Sequence, residues 1–313
     1  MTSHRLEPTP ETTRDVFSCD HAPVLTVDPG DTVTVRSLDA SGYLARQTVP
    51  GEEQPTMFTE ARGHCLTGPI EIRGARPGDM LALRLVALRP GDWGWTAAGG
   101  RDTPVTRRLG LAEGPRSRLL WDLDADGGQG RTTEGFTRPL APFLGVMGMP
   151  PAEPGEHSTI PPRAAGGGNI DCRELVAGTT LFLPVTVPGA LLYLGDGHAA
   201  QGDGEVGGTA IECPMTTEAV IGLAAGRPLG TIHAEAPGGR ITFGFDADLN
   251  AAMGDALDAM VSWLQVLSGL GRAAALALAS TCVDMRITQV ANETWGVHAV
   301  LPSGVLSGPG LEA

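Results

Sequence analysis

Hydrophobic and polar residues alternate with a period of two along most of the chain, in short segments separated by glycine and proline. TVTVRSL (32–38) and MLALRLVAL (80–88) are the clearest cases, and such alternation is typical of β-strands with one buried face. Only the segment 249–280 has apolar residues at helical three- and four-residue steps, as in Ala252, Ala256, Met260 and Trp263. The pattern predicts an α+β fold, mainly antiparallel β, with a jelly-roll or β-sandwich-like core and a C-terminal helical hairpin.

One strand, turn, strand unit occurs twice. The turns Asp28-Pro29-Gly30-Asp31 and Arg76-Pro77-Gly78-Asp79 each connect two apolar, strand-like segments. Proline followed by glycine suits a type II turn, because glycine readily adopts the positive φ that this turn requires. We interpret the repeat as two related β-hairpins.

The chain divides into three parts that we expect to form one compact unit. These are an N-terminal arm (1–20), a hairpin-rich part (21–140), and a part (141–313) that holds most polar clusters, the helical hairpin and the closing strands. Residues 175–195 are uncharged over a length that could span a membrane. Pro184 and Pro188 instead favour two buried strands, so we expect no membrane association.

Composition excludes several classes of protein. The chain has 44 Gly and 25 Pro among 313 residues, which is unsuited to a helical bundle. A net charge of −14 with no basic cluster excludes a nucleic-acid-binding surface. Five cysteines without a C-x-x-C pair argue against a disulfide framework and against a zinc site built from thiolates. The N-terminal sequence lacks the apolar stretch of a signal peptide. We expect a cytoplasmic protein.

The densest polar cluster is GDGHAAQGDGE (195–205), directly after the apolar segment LLYL. In an extended strand, Asp196 and His198 project to the same face and could bind one ion. Carboxylate oxygen with imidazole nitrogen suits zinc or another divalent transition metal. Glu205 could be a metal ligand or a general acid/base, whereas Asp203 taken alone is typical of a hairpin turn.

A second polar cluster, GGGNIDC (166–172), precedes the two apolar segments. Asn169 and Asp171 lie two residues apart after three glycines. They could join the metal site or cap a local turn, and spacing alone favours the turn.

Four segments together resemble the acetamidase/formamidase family: GGNID (167–171), LVAGTTLFLPVTVPGALLYLGDGHAAQGDGEVGGTAIE (175–212), LTGPIEIRGARPGD (66–79) and CVDMRITQVANETWGV (282–297). The resemblance implies a β-rich fold with a jelly-roll-like part and a bound divalent metal, zinc or a calcium-like ion. It also implies hydrolysis of short amides to acid and ammonia, and some relatives open lactams. Many relatives carry His where this chain has Gly166.

The resemblance also suggests roles for single residues. Asp171, Asp196, His198 and Glu205 match acidic and imidazole positions of the family's motifs. From their chemistry we assign the first three to a metal, zinc by preference and calcium as the alternative, and Glu205 to proton transfer.

Further candidates complete the predicted site. Glu235 matches a Glu-x-Pro position of the family and is the second candidate catalytic carboxylate. Asn169, His64 and Asp203 are predicted to contact the substrate.

We expect a water activated by the metal to attack a short linear amide. The alternatives are a lactam-opening hydrolase and a metal-stabilised β-sandwich that binds a small ligand without turnover. Cys172 or Cys213 could act as a nucleophile, but neither has a recognisable nucleophile context. The chain has no lysine, which excludes lysine-dependent amidase mechanisms. The small amide is the expected partner, together with further copies of the chain in a homo-oligomer.

Overall fold

A computed structural model describes residues 2–226 and 228–308. Within these residues the chain forms 22 strands and three helices. The strands are β1 (Ser3–Leu6), β2 (Thr13–Arg14), β3 (Val16–Phe17), β4 (Leu25–Val27), β5 (Asp31–Ser37), β6 (Leu66–Ile72), β7 (Met80–Pro90), β8 (Trp93–Ala98), β9 (Ser117–Asp124), β10 (Gln129–Thr132), β11 (Thr137–Pro139), β12 (Phe143–Gly148), β13 (His157–Ser158), β14 (Gly167–Asn169), β15 (Thr180–Pro184), β16 (Leu192–His198), β17 (Glu212–Cys213), β18 (Met215–Ala224), β19 (His233–Ala236), β20 (Gly239–Asp246), β21 (Asp284–Gln289) and β22 (Trp295–Pro302). The helices are α1 (Pro104–Arg108), α2 (Leu249–Ser268) and α3 (Arg272–Cys282).

Most strands belong to two large sheets. The first has nine strands in the order β1-β5-β18-β7-β15-β19-β20-β22-β21. The second has eleven, with the path β11-β10-β9-β8-β17-β16-β12-β14 and with β6 joining β16 to β2 and β4. Pairing is antiparallel throughout except between β1 and β5 and between β4 and β6. The arm predicted over residues 1–20 contributes β1, β2 and β3, and strands of the two longer predicted parts pair within both sheets.

The core lies between these two sheets. Strands β5 and β18 alternate buried and less buried residues, as their sequence pattern requires for a sheet with one covered face. Leu83 and Ile221 of the first sheet belong to the same apolar cluster as Leu144 and Leu194 of the second. Each such side chain, fully removed from water, stabilises the fold by about 1.5–3 kcal/mol. The predicted α+β class with a sandwich-like core is confirmed.

The prediction of two hairpins is wrong. Gly30 and Gly78 do have the expected positive φ, 97° and 94°. However, β4 and β6 pair with each other in the second sheet, whereas β5 and β7 both flank β18 in the first. Each turn therefore carries the chain from one sheet to the other. Alternation shows which side chains face the core but not which strand is the hydrogen-bonding neighbour.

Helices α2 and α3 form the predicted C-terminal pair. The side chain of Asp248 caps the start of α2 by accepting a hydrogen bond from Asn250 N, and Gly269 ends it with φ 70°. Ala252 and Met260 pack against Val297 and Leu301 of β22. No single helix of the described ranges is both long and apolar enough to cross a membrane, and α2 and α3 meet that test only as a pair bent by 106°.

Candidate metal centre

Strand β16 carries the first two groups of the site. All of its residues are buried, and Asp196 and His198 alternate with two glycines. A Cβ on Gly197 would lie 2.6 Å from the carbonyl oxygen of Cys213, so the neighbouring backbone approaches more closely than a side chain would allow. On the side where the polar groups meet, His198 Nε2 lies 3.3 Å from Asp196 Oδ1.

Strand β17 supplies a carboxylate that the sequence interpretation missed. His198 and Glu212 are cross-strand partners, and Nε2 lies 3.3 Å from Glu212 Oε2. Glu212 is 2% exposed, although it stands in the otherwise apolar segment AIEC. A lone glutamate within an apolar strand was the signal that could have identified it, because a buried carboxylate needs a charged or hydrogen-bonding partner.

Asp171 and Glu205 reach the same place from two loops. Each offers a carboxylate oxygen, and these oxygens and a ring nitrogen of His198 lie within 4.8 Å of one another. Spacing alone favoured a local turn-capping role for Asp171, but its side chain lies in the cluster instead. Gln201 Nε2 donates a hydrogen bond to the backbone carbonyl of Asp171 at 2.7 Å and so ties the two loops together.

Backbone strain is concentrated at this centre. Five non-glycine residues of the described chain have positive φ, and three of them are Asp171 (52°), Asp196 (58°) and Glu205 (43°). Left-handed conformations cost free energy for residues with a Cβ and persist where the surrounding structure enforces them. The strain points to a functional role for these three carboxylates.

Gly145 of β12 leaves room for the cluster. A Cβ there would lie 2.6 Å from Asp171 Oδ1 and 2.8 Å from His198 Cε1, and it would also collide with Asp196 Oδ2. The absence of a side chain at residue 145 is therefore what allows the ligand atoms to converge.

The charges at the centre are unbalanced. Burial raises the pKa of Glu205 to about 8 and that of Glu212 to about 7. Burial, followed by the charge of Glu205, also raises the pKa of Asp171. Burial alone would raise the pKa of Asp196, but the charge of His198 outweighs it and lowers that pKa. Burial alone would lower the pKa of His198, but the charges of Glu212 and Asp196 outweigh it and raise that pKa. Four carboxylates around one imidazole hold more negative charge than the imidazole can neutralise.

The donor set fits a divalent cation. Both oxygens of Asp171, both ring nitrogens of His198, and the Oε2 atoms of Glu205 and Glu212 are buried without a hydrogen-bond partner among the described residues. Buried polar atoms of this kind are rare unless an ion or water binds them. Two overlapping sets, Asp171-His198-Glu205 and Asp196-His198-Glu212, have the oxygen and nitrogen donors that suit zinc, and the carboxylates also suit calcium.

A polar cavity of about 340 Å³ opens above the carboxylates. Asp171, Asp196, Glu205 and Glu212 line it, whereas His198 is enclosed at 1% exposure. The wall includes His64, Trp95, Arg101, Arg116, Asn169 and Asn292.

Two of the predicted substrate contacts lie in this wall. His64 Nε2 lies 4.0 Å from Asp196 Oδ2, and its Nδ1 lies 3.1 Å from the Thr159 hydroxyl. Asn169 donates from Nδ2 to the carbonyl of Ile160 at 3.1 Å, and its Oδ1 has no partner within the described part of the chain. Burial lowers the pKa of His64, which favours the neutral ring.

The structure does not bring Glu235 and Asp203 to the centre. Glu235 is exposed on β19 in the nine-stranded sheet and borders a different surface depression, so the structure places it away from the centre and its predicted catalytic role gains no support. Asp203 is not among the residues that line the cavity and faces Arg173 and Arg286 at 3.8 Å and 3.7 Å, so its predicted substrate contact gains no support either. Both assignments relied on position in a motif, which does not determine the direction of a side chain.

Comparison with known proteins supports the resemblance seen in the sequence. The sequence profile of the Acetamidase/Formamidase family matches residues 3–156 and 152–227. A formamidase of Methylophilus methylotrophus is 26% identical over 231 residues, which cover 58% of this chain and 56% of that protein. Alignments with three curated relatives cover between 49% and 64% of the relatives' lengths.

Solved structures match over nearly the whole chain. An acetamidase from Bacillus halodurans has a TM-score of 0.84 at 28% identity and covers 95% of this chain and 97% of its own. A gamma lactamase from Delftia acidovorans has a TM-score of 0.64 at 20% identity, covers 99% of this chain and 95% of its own, and shows a shared fold alone.

Proposed function

Since the chain belongs to the acetamidase/formamidase family, we propose that it hydrolyses the C–N bond of short linear amides such as formamide or acetamide, giving a carboxylic acid and ammonia. The observation that carries the proposal is the convergence of four buried carboxylates and His198 at the base of a polar cavity. A cavity of about 340 Å³ lies at the small end of the usual range for ligand sites and suits a substrate of a few heavy atoms.

The residues that would hold a divalent cation are Asp171, Asp196, His198 and Glu212. Their oxygen and nitrogen donors favour zinc, with calcium as the alternative. Such an ion, when bound, lowers the pKa of water and polarises a carbonyl group.

Glu205 is the residue proposed to move the proton. Its Oε2 is buried and without a partner among the described residues, and burial raises the pKa of this carboxyl to about 8. A carboxyl group whose pKa lies near neutrality can accept a proton from the attacking water and then deliver it to the departing nitrogen. Without that proton the leaving group would be an amide anion, which is a very poor leaving group.

His64 and Asn169 are proposed to orient the substrate. The free Oδ1 of Asn169 can accept a hydrogen bond from the amide NH₂, and a neutral His64 can donate from Nε2 to an oxygen atom in the cavity. The amide would then lie with its carbonyl carbon above the carboxylates.

Cysteine catalysis is disfavoured. Cys172 and Cys213 are both fully buried, and burial raises the pKa of both thiols. A nucleophilic cysteine needs the thiolate, which these surroundings suppress.

The test is ammonia release from formamide and acetamide by the purified, metal-loaded protein. His198→Ala should reduce kcat/KM by at least about 100-fold, and chelation should have the same effect. His157→Ala is the matched control. His157 is hydrogen-bonded to the backbone carbonyl of Glu153, away from the cavity, so this variant should retain activity.

The same assay separates the competing functions. Lactams are included in the substrate panel, and ring opening without hydrolysis of linear amides would favour the lactamase alternative. Turnover of no amide or lactam by metal-loaded protein would contradict the hydrolase proposal. If chelation then lowered the melting temperature in step with metal loss, the non-catalytic metal-stabilised alternative would be favoured.

A further inference from the structure

A second group of metal-ligating side chains lies apart from the carboxylate centre and shares no residue with it. Cys172, Glu174 and His298 each offer one donor atom, and the three atoms lie within 4.8 Å of one another. Cys172 and His298 are completely buried. The group combines sulfur, oxygen and nitrogen donors, a combination well suited to a divalent transition metal.

The two distances from Glu174 Oε2 to the other donor atoms are close to those of tetrahedral coordination. Glu174 Oε2 lies 3.3 Å from Cys172 Sγ and 3.2 Å from His298 Nε2. Metal–ligand bonds of about 2.3 Å to sulfur and about 2.0 Å to nitrogen and oxygen require ligand-to-ligand distances of about 3.5 Å and about 3.3 Å at the tetrahedral angle. Both distances are therefore compatible with one ion bound by the three side chains, whose donor atoms all lie within 4.8 Å of one another.

The imidazole of His298 is oriented as a ligand. Its Nδ1 lies 2.8 Å from the Thr288 hydroxyl, whereas its Nε2 faces Glu174 Oε2 at 3.2 Å and makes no hydrogen bond of good geometry in the described ranges. A hydrogen bond from Nδ1–H to Thr288 leaves the lone pair on Nε2 directed toward the cluster. Metal-ligating histidines almost always have their second nitrogen held in this way.

The carboxylate of Glu174 is also oriented by a hydrogen bond from outside the cluster. Arg286 Nη1 donates to Oε1 at 2.9 Å, while Oε2 faces the thiol and the imidazole. Hydrogen bonding of the distal oxygen is common for carboxylates that ligate metals. Two of the three donor groups thus have an outer partner that orients them.

We propose that Cys172 Sγ, Glu174 Oε2 and His298 Nε2 bind a second divalent transition-metal ion, of the zinc class. The thiol loses its proton to solvent when the ion binds, so that sulfur enters as the thiolate. The ion would link the segment that follows Asp171 to the closing strand β22.

Cobalt(II) distinguishes this centre from the first. The full-length protein is stripped of metal, titrated with Co²⁺ and followed by absorbance. A thiolate ligand adds an intense sulfur-to-cobalt charge-transfer band in the near ultraviolet, and the first centre, built from oxygen and nitrogen donors, cannot produce that band. The proposal predicts that the wild type shows the band and that His198→Ala retains it. Cys172→Ser should lose the band and should bind about one metal ion per chain fewer than the wild type.

Cys282→Ser is the matched control, since Cys282 is a buried thiol that donates to the carbonyl of Leu278 on α3, and it should retain the band. Absence of the band in the wild type with excess Co²⁺ would overturn the proposal without reliance on any variant. It would leave Glu174 as an ion-pair partner of His298 and Arg286. Persistence of the band in Cys172→Ser would equally overturn it. Neither result depends on amide hydrolysis, so the proposal stands or falls separately from the proposed function.

Discussion

His198 Nε2 and Glu212 Oε2 lie 3.3 Å apart because the two residues face each other across the paired strands β16 and β17. Both residues are almost completely buried. A buried glutamate beside a buried imidazole is stabilised by charge, and the pair shares its surroundings with three further carboxylates. Strand register, and not proximity in sequence, is what adds Glu212 to the centre.

Glu212→Gln should weaken metal binding and reduce kcat/KM by about 10- to 100-fold or more, because an amide oxygen is a much weaker ligand than a carboxylate. Metal content per chain and ammonia release measure the two effects. Glu218→Gln is the control, since Glu218 is a half-buried strand glutamate in the other sheet. Equal metal content in Glu212→Gln and the wild type would contradict the assignment.

Gly145→Ala should abolish metal binding while the fold is retained. The added methyl group would lie within 2.8 Å of atoms of both Asp171 and His198 and would displace them. Circular dichroism checks the fold and elemental analysis the metal. Gly222→Ala is the matched strand-glycine control, because its Cβ would meet nothing closer than 3.9 Å. A fully metal-loaded Gly145→Ala protein would show that the ligands do not converge as described.

Two glutamates suggested by the sequence should now behave differently. Glu205→Gln removes the proposed proton carrier and should lower kcat by about 10²- to 10⁴-fold. Glu235→Gln alters an exposed side chain in the nine-stranded sheet and should leave kcat/KM within about twofold of the wild type. Steady-state kinetics with acetamide compares them. A large loss in Glu235→Gln would restore it as a catalytic candidate.

Asp39 should make stability depend on pH. Burial raises its pKa to about 6, although Trp95 Nε1 donates a hydrogen bond to it at 2.7 Å. The folded chain therefore binds a proton more tightly at Asp39 than the unfolded chain, whose pKa there is near 3.8. The resulting stabilisation is fully present below about pH 3.8 and is lost as pH rises through about 6, with an upper limit of about 3 kcal/mol.

Urea unfolding between pH 4 and 6.5 measures this effect. Over that range the free energy of unfolding should decrease more steeply with pH in the wild type than in Asp39→Asn. Asp284→Asn, which changes an exposed aspartate, should retain the wild-type slope. Parallel curves for the wild type and Asp39→Asn would show that Asp39 is not the group responsible.

The local pattern of the chain contained much of the fold. Period-two alternation identified strands such as β5 and β7, and helical spacing identified the C-terminal pair. Turn chemistry correctly predicted positive φ at Gly30 and Gly78. These features depend on a residue and its near neighbours, so they can be read without knowledge of the rest of the molecule.

Local sequence also identified the first polar groups of the centre, because Asp196, His198 and Glu205 stand in one short, glycine-rich segment. Which distant groups join them, and which nearby ones do not, depends on the way the chain folds in three dimensions. Strand register places Glu212 beside His198. Asp203 points from its loop toward Arg286, and Glu235 lies on β19 of the nine-stranded sheet, so neither reaches the centre. Strand pairing and side-chain direction depend on packing across the whole core, which local pattern does not encode.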